Sequence, residues 1–229
     1  MPILRRFTSD ERRTFFYLIA AGLFLSLLFL IVITRLHEDI SHPRVEHLDQ
    51  SILQTIHQHD TPDLTHLAKT LSFIGSPLTL FPLVALAAFI LYRAHLKRDA
   101  LLVVITMTGA ATLDTLLKLH YRRIRPDVPW AFVHERSFSF PSGHSVMAVV
   151  TYGIITWLLM QYLHRTWQHI ALIAISLTLI AGIGLSRLYL AVHYPSDVVG
   201  GYFVGATWLL AVILADWSLR RLDPKATAP

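Results

Sequence analysis

None of the 229 residues is a cysteine, so disulfides, thiolate catalysis and cysteine-liganded metal sites are excluded, and the compartment is left open. Charge is also scarce. Charged residues make up only 15% of the chain, where a soluble globular domain carries about 25%. Internal repeats, low-complexity linkers and a basic stripe interleaved with aromatics are all missing. The formal net charge of +5 therefore does not point to a nucleic-acid partner. Apolar residues, by contrast, make up 54% of the chain. A membrane protein is implied, and the length suits one membrane-embedded domain over residues 1–229 with no second soluble one.

Six apolar stretches reach the roughly 20 residues a membrane-crossing helix needs: Phe15–Thr34, Leu71–Tyr92, Ala100–Leu119, Gly143–Leu163, Ile170–Leu188 and Val198–Leu219. The fold class expected is all-α: a polytopic membrane protein with six transmembrane helices in one bundle. The first stretch follows Arg5, Arg6, Arg12 and Arg13, but its apolar core is too long for a signal peptide and no small-residue cleavage site follows. Basic residues gather in the N-terminal tail, in "YRAHLKRD", at Arg165 and after the last stretch, whereas the segment Arg35–Thr70 has three basic residues against six acidic ones. Lysine and arginine mark the cytoplasmic side, so both termini are expected there. The loops after the first, third and fifth spans are then extracytoplasmic. In the first of these, Leu48, Ile52, Leu53 and Ile56 recur at helical spacing, which predicts an amphipathic helix able to lie on the membrane surface. The third loop breaks the charge trend with Arg122, Arg123, Arg125 and Arg136. A basic loop on the wrong side needs a reason other than topology.

The unusual polar residues all fall at the outer ends of spans three to six. "KLHYRRIRP" supplies Lys118 and Arg125, "FPSGHS" supplies Ser142, Gly143 and His144, and "SRLYLAVHYPSD" supplies Arg187, His193 and Asp197. Ionisable groups at the edge of hydrocarbon are costly and are functional candidates by default. Three cations in one place imply a multiply charged anion, and arginine's planar fork suits phosphate oxygens. Pro141 opens a helix, Gly143 lets backbone approach a ligand, and the first-turn amides form an anion site. Pro195 starts the last helix, so Asp197 in its first turn can reach back toward His193. A carboxylate on one ring nitrogen leaves the other free as a nucleophile. On this reading Arg187 holds an anion, His193 attacks it and Asp197 orients His193.

The ordered pattern K-x6-R-P, P-S-G-H and S-R-x5-H-x3-D resembles the type 2 phosphatidic acid phosphatase superfamily, matched at every signature position between Lys118 and Asp197. The six-span layout resembles its membrane branch. The resemblance implies a metal-independent, two-step reaction without a cofactor. His193 forms a phosphohistidine, His144 protonates the leaving oxygen, and Lys118, Arg125, Arg187 and the backbone at Ser142 and Gly143 stabilise the charged oxygens. The substrate it implies is a membrane lipid phosphate or diphosphate, such as phosphatidylglycerol phosphate, phosphatidic acid or undecaprenyl diphosphate. The expected setting is a bacterial inner membrane with the active site outside and the bilayer itself as a partner.

A phosphoryl transferase to an alcohol acceptor would share the phosphohistidine. A vanadate-dependent haloperoxidase would share the anion site but is soluble in the known branch. A transporter would need polar residues along a continuous path through the midplane, whereas the charges ring one outer face with only Asp114 deeper. Asp114, four residues before Lys118, reads as an ion pair that positions the lysine. Arg122 and Arg123 read as widening the positive field or meeting lipid headgroups. The histidines and acids of the first outer loop, including His37, His42, His57, Asp60 and His66, match no metal-ligand spacing.

Overall fold

The computed structural model describes residues 42–133 and 135–222. Among these residues the regular structure is entirely helical: α1 (Pro43–His57), α2 (Pro62–Ile74), α3 (Pro77–Arg93), α4 (Lys97–Tyr121), α5 (Gly143–Met160), α6 (Thr166–Tyr189) and α7 (Pro195–Leu222). The stretch Phe15–Thr34 lies outside the described residues. Prolines open α1, α2, α3 and α7. Their fixed φ suits the first helical turn, where the missing N–H would have had no partner.

Four helices, α4 to α7, are long and apolar enough to cross a membrane, and α2 with α3 forms a fifth candidate bent by 43°. The stretch Leu71–Tyr92 is thus broken between two helices rather than being one continuous helix. The physical reason lies in "GSP". Gly75 caps α2, Ser76 is extended at φ −77° and ψ 154°, and Pro77 restarts the helix. Elsewhere α4, α6 and α7 overrun the predicted bounds by a few residues, α4 beginning at Lys97 and α6 at Thr166, whereas α5 ends at Met160, short of Leu163.

α5 is the centre of the bundle. Half of its apolar window is buried, against a third or less in α4, α6 and α7. Val146, Val150 and Ile154 pack with Val103, Met107 and Ala110 of α4 and Val204 and Val212 of α7. The outward faces remain apolar: Leu78, Leu86, Phe89, Ile105, Ile175 and Leu210 are all exposed. So much exposed apolar surface around a helical bundle belongs in lipid. α1 does not lie free on that surface. Its Leu53 and Ile56 pack on Leu188 of α6 and Val198 of α7.

The close crossing of α5 and α7 depends on "GYFVG". A Cβ at Gly201 would sit 2.7 Å from the Ser142 carbonyl oxygen, and one at Gly205 would sit 2.9 Å from that of Val146. These neighbours are backbone and cannot rotate away. Small residues four apart let helices in lipid approach this closely. At the opposite end of the bundle Arg98 Nε donates to Asp216 Oδ1 at 2.7 Å, tying the start of α4 to the end of α7. Overpacking of this kind costs about 1–3 kcal/mol. Gly205→Val should therefore lower the thermal midpoint in detergent, whereas the outward Leu210→Ala should leave it nearly unchanged; a melt of both variants checks this.

Candidate active site

The end of α4, the start of α5, the end of α6 and the start of α7 meet at one end of the bundle, and local backbone chemistry aims their side chains. α4 stops at Arg122, which takes the left-handed conformation (φ 48°) while its N–H bonds the Lys118 carbonyl at 3.0 Å. That turn directs Arg123 and Arg125 back over the helix ends. α6 stops in a Schellman motif. Ala191 is left-handed (φ 54°), its N–H reaches the Leu188 carbonyl at 2.9 Å, and the N–H of Val192 reaches that of Arg187 at 3.2 Å. This closure satisfies two orphan carbonyls and places His193 beside the end of the helix that carries Arg187. α7 begins with half of a capping box: Asp197 Oδ2 accepts the Tyr194 N–H at 2.8 Å.

Asp197 is wholly buried and His193 is 1% exposed. Ser139 donates its hydroxyl to Asp197 Oδ2, Arg123 Nη1 donates to Asp197 Oδ1 at 2.6 Å, and His193 Nδ1 lies 3.5 Å from Oδ2. The last distance is ion-pair range, longer than a hydrogen bond of ordinary length. On the other side of the ring, Arg125 Nη1 lies 3.0 Å from His193 Nε2. A guanidinium can only donate, so Nε2 is the acceptor and the proton of a neutral ring sits on Nδ1, facing Asp197. Burial pushes the His193 imidazole down to about 4, with Asp197 opposing it in part. The ring is neutral at ordinary pH.

The cations are organised by carboxylates. Glu135 bridges two of them: its Oε2 is 2.7 Å from Arg125 Nη2 and its Oε1 pairs with Arg187 Nη2. Burial alone would raise the Glu135 carboxyl, but Arg187 and Arg125 hold it below the usual range. Arg187, 2% exposed, also donates to Ser72 of α2, while its buried Nε has no hydrogen-bond partner among the described residues. Lys118 Nζ donates to Asp114 Oδ1 at 2.7 Å and to the Pro141 carbonyl, so the lysine is strapped to the turn that opens α5. Asp114 abuts Gly143, where an added Cβ would lie 3.1 Å from Oδ2. The Ser142 N–H is held by the Asp197 carbonyl at 3.0 Å, and the Ser142 side chain caps no amide of its own helix. His144 follows in the first turn, within electrostatic reach of Arg187, Glu135, His193 and Arg125.

The structure thus brings Lys118, Arg125, Ser142, Gly143, His144, Arg187, His193 and Asp197 to one place. The ion pair expected between Asp114 and Lys118 is present. Arg123 differs from its reading as a field-widening or headgroup residue. It is inserted between Asp197 and Asp49, with Asp49 Oδ2 2.8 Å away, and the two carboxylates raise its pKa above the ordinary arginine value although burial works against its charge. Glu135, Ser139 and Asp49 went unrecognised in the sequence. Glu135 and Ser139 belong to an irregular segment with no periodicity to read. Asp49 did leave a signal, since it shares a helix face with Leu53 and Ile56, and an acid on an apolar stripe calls for a partner.

The PAP2 superfamily profile matches residues 99–221. Phosphatidylglycerophosphatase B of Bacillus subtilis is 31% identical over 202 residues, covering 88% of this chain and 97% of that protein. Decaprenylphosphoryl-5-phosphoribose phosphatase of Mycobacterium tuberculosis is 30% identical over 154 residues, covering 65% of this chain and 78% of that protein. The crystal structure of a transmembrane PAP2-type phosphatidylglycerolphosphate phosphatase from Bacillus subtilis superposes with a TM-score of 0.78 at 29% identity, covering 88% of this chain and 98% of that one. With its membrane-type helices and its three ordered motifs at one end of the bundle, the chain belongs to the PAP2 superfamily.

Proposed function

We propose that this protein hydrolyses a phosphate monoester or diphosphate on a membrane lipid, through a phosphohistidine on His193, at the extracytoplasmic face of a bacterial inner membrane. The observation that carries the reading is the convergence of Arg125 and Arg187 on the two oxygens of one carboxylate, Glu135, beside an imidazole whose Nε2 faces Arg125. Two guanidinium groups that hold two oxygens of a carboxylate are also arranged for two oxygens of a phosphoryl group.

In this mechanism the phosphoryl group displaces Glu135 and is held by Arg125, Arg187 and Lys118, with the backbone amide of Gly143 at the positive end of α5; the Ser142 N–H stays on the Asp197 carbonyl and fixes that turn. Arg187 Nε, which has no hydrogen-bond partner among the described residues, supplies a further donor. His193 Nε2 attacks phosphorus in line, the bond to the lipid oxygen breaks, and His144 gives that oxygen its proton. Asp197 stabilises the positive ring through the Nδ1–H. Water then attacks the phosphohistidine, passing a proton to His144, and phosphate leaves with His193 restored. The charge of the transition state is met by side chains and backbone of this chain, and the cycle calls for no metal. Preorganised donors of this kind are commonly worth about 10²–10³ in rate each.

The similarity to phosphatidylglycerophosphatase B over most of both chains favours a phosphatidylglycerol phosphate-like substrate. The excess of lysine and arginine on the other loops and tails supports both termini in the cytoplasm and the site outside. An assay of the purified protein across lipid monophosphates, lipid diphosphates and soluble phosphate esters tests the proposal. Turnover confined to tailed substrates is expected, and turnover of none of them would refute it.

Three outcomes follow. His193→Ala should abolish phosphate release from an inserted, folded protein, and retained hydrolysis would defeat the mechanism. Because the attacking ring must be neutral, activity is present above the His193 pKa and is lost as pH falls through it. Once the titration of the substrate is divided out, the acid limb of kcat/KM should lie near 4, well below the ordinary histidine value of about 6.5. Glu135→Ala removes the carboxylate that an incoming anion must displace, so vanadate should inhibit this variant several-fold more tightly than the parent chain, as a competitive inhibition series would show.

A further inference from the structure

α1 contributes a buried carboxylate to the back of the catalytic pair. Asp49 is 2% exposed although it lies on a short helix at the edge of the bundle. Its Oδ1 accepts the Ser196 N–H at 3.0 Å, and its Oδ2 accepts the Ser196 hydroxyl at 2.5 Å and Arg123 Nη2 at 2.8 Å. The same guanidinium sends Nη1 to Asp197 Oδ1 at 2.6 Å and to Ser196 Oγ at 2.7 Å. It lies 4.4 Å from the centre of the Tyr194 ring, which restricts the plane of its fork. The two oxygens of Asp197 are therefore divided. Oδ2 serves the Ser139 hydroxyl, the Tyr194 N–H and the histidine side; Oδ1 belongs to Arg123.

We infer that Arg123 and Asp49 are positioning residues of the His193–Asp197 pair, and that α1 is docked on α6 and α7 to supply one of them. The inference rests on the reading of His193 as nucleophile. A carboxylate with both oxygens engaged cannot rotate about its last bond. That fixes the direction of Oδ2 and, through it, the tautomer and plane of the imidazole. Arg123 also draws electron density from Asp197, which limits how strongly that carboxylate competes for the ring proton. Asp49 performs the same service one step back. It fixes the far side of the guanidinium fork, and it holds Ser196, the residue just before Asp197, by both backbone and hydroxyl. The apolar contacts of Leu53 and Ile56 with Leu188, Tyr194, Val198 and Tyr202 seat the helix so that Asp49 arrives at this point. Lysine would be an incomplete replacement for Arg123, because one ammonium cannot present two parallel donors to two carboxylates.

A structural ion pair alone would change stability and expression but leave the folded enzyme's turnover intact. A positioning role lowers kcat while leaving substrate affinity in place, since neither residue touches the phosphoryl site. Supporting residues of this type typically carry about 10–100-fold in activity, and small misplacement of reacting groups costs about 10². In detergent-purified full-length protein assayed on the lipid phosphate that the parent chain turns over, Arg123→Gln should lower kcat about 100-fold with KM within about threefold. Asp49→Asn, which keeps one acceptor for Ser196, should lower kcat about tenfold. Arg123→Lys should recover part of the Arg123→Gln loss. The double variant should lose less than the product of the two single losses, because the two side chains share the Arg123 linkage. Single-turnover trapping of acid-labile phosphoprotein should show slower phosphohistidine formation in the same order. Thermal melts record whether each variant is folded, and Asp49→Asn carries the test if Arg123→Gln fails to fold. Parental kcat in a folded variant, or an equal rise in KM accounting for the loss, overturns the inference. If His193→Ala itself retains turnover, the phosphohistidine reading fails instead, so the two failures are told apart.

Discussion

Asp197 is a negative charge with no access to water, and the surrounding structure is arranged around that fact. A buried carboxylate is tolerable only when its oxygens are paired and hydrogen-bonded. Its donors come from separate parts of the chain: Ser139 from the irregular segment before α5, Arg123 from the turn after α4, and Tyr194 from the cap of α7 itself. Arg123 in turn requires Asp49 from α1, and the Asp197 carbonyl holds the Ser142 N–H at the head of α5. The Asp197 carboxylate, its partner Arg123 and the Asp197 carbonyl together gather five segments at one end of the bundle. His193 occupies the remaining side.

Charge balance organises the rest of the site by the same rule. Lys118 is matched by Asp114, Arg123 by Asp49 and Asp197, and Arg125 with Arg187 by Glu135. Each cation reaches its place with a partner, which lowers the cost of gathering four of them at the edge of an apolar bundle. The partners differ in permanence. Asp49 and Asp197 are almost wholly buried, whereas the Glu135 side chain is 28% exposed and sits on an irregular segment. It is the carboxylate best placed to yield to the anion that the proposed mechanism brings in, with the two arginines already held on a pair of oxygens.

The membrane setting explains why backbone closures matter here as much as side chains. Helix ends near lipid need their free amides and carbonyls satisfied within the protein. The left-handed turns at Arg122 and Ala191 do this without glycine, and each also redirects the chain so that Arg123, Arg125 and His193 face one another. The glycine pair in α7 brings that helix against the carbonyls of α5, fixing the distance between the two helix starts that carry His144 and Asp197.

The sequence by itself determined the helical, membrane-type architecture, because apolar runs of this length and so little charge have no other home. It also determined the family and the set of motif residues, since lysine, arginine, histidine and aspartate at the edge of hydrocarbon stand out against their surroundings. The pairing of Asp114 with Lys118 was equally legible, being local to one helix face. Tertiary structure decided what crosses between elements. Only folding shows that Arg123 belongs to Asp197, that Glu135 bridges two arginines, and that Asp49 on an amphipathic helix ends up buried. Burial and ion pairing between segments more than 70 residues apart depend on which surfaces meet, and no spacing within a single helix encodes that.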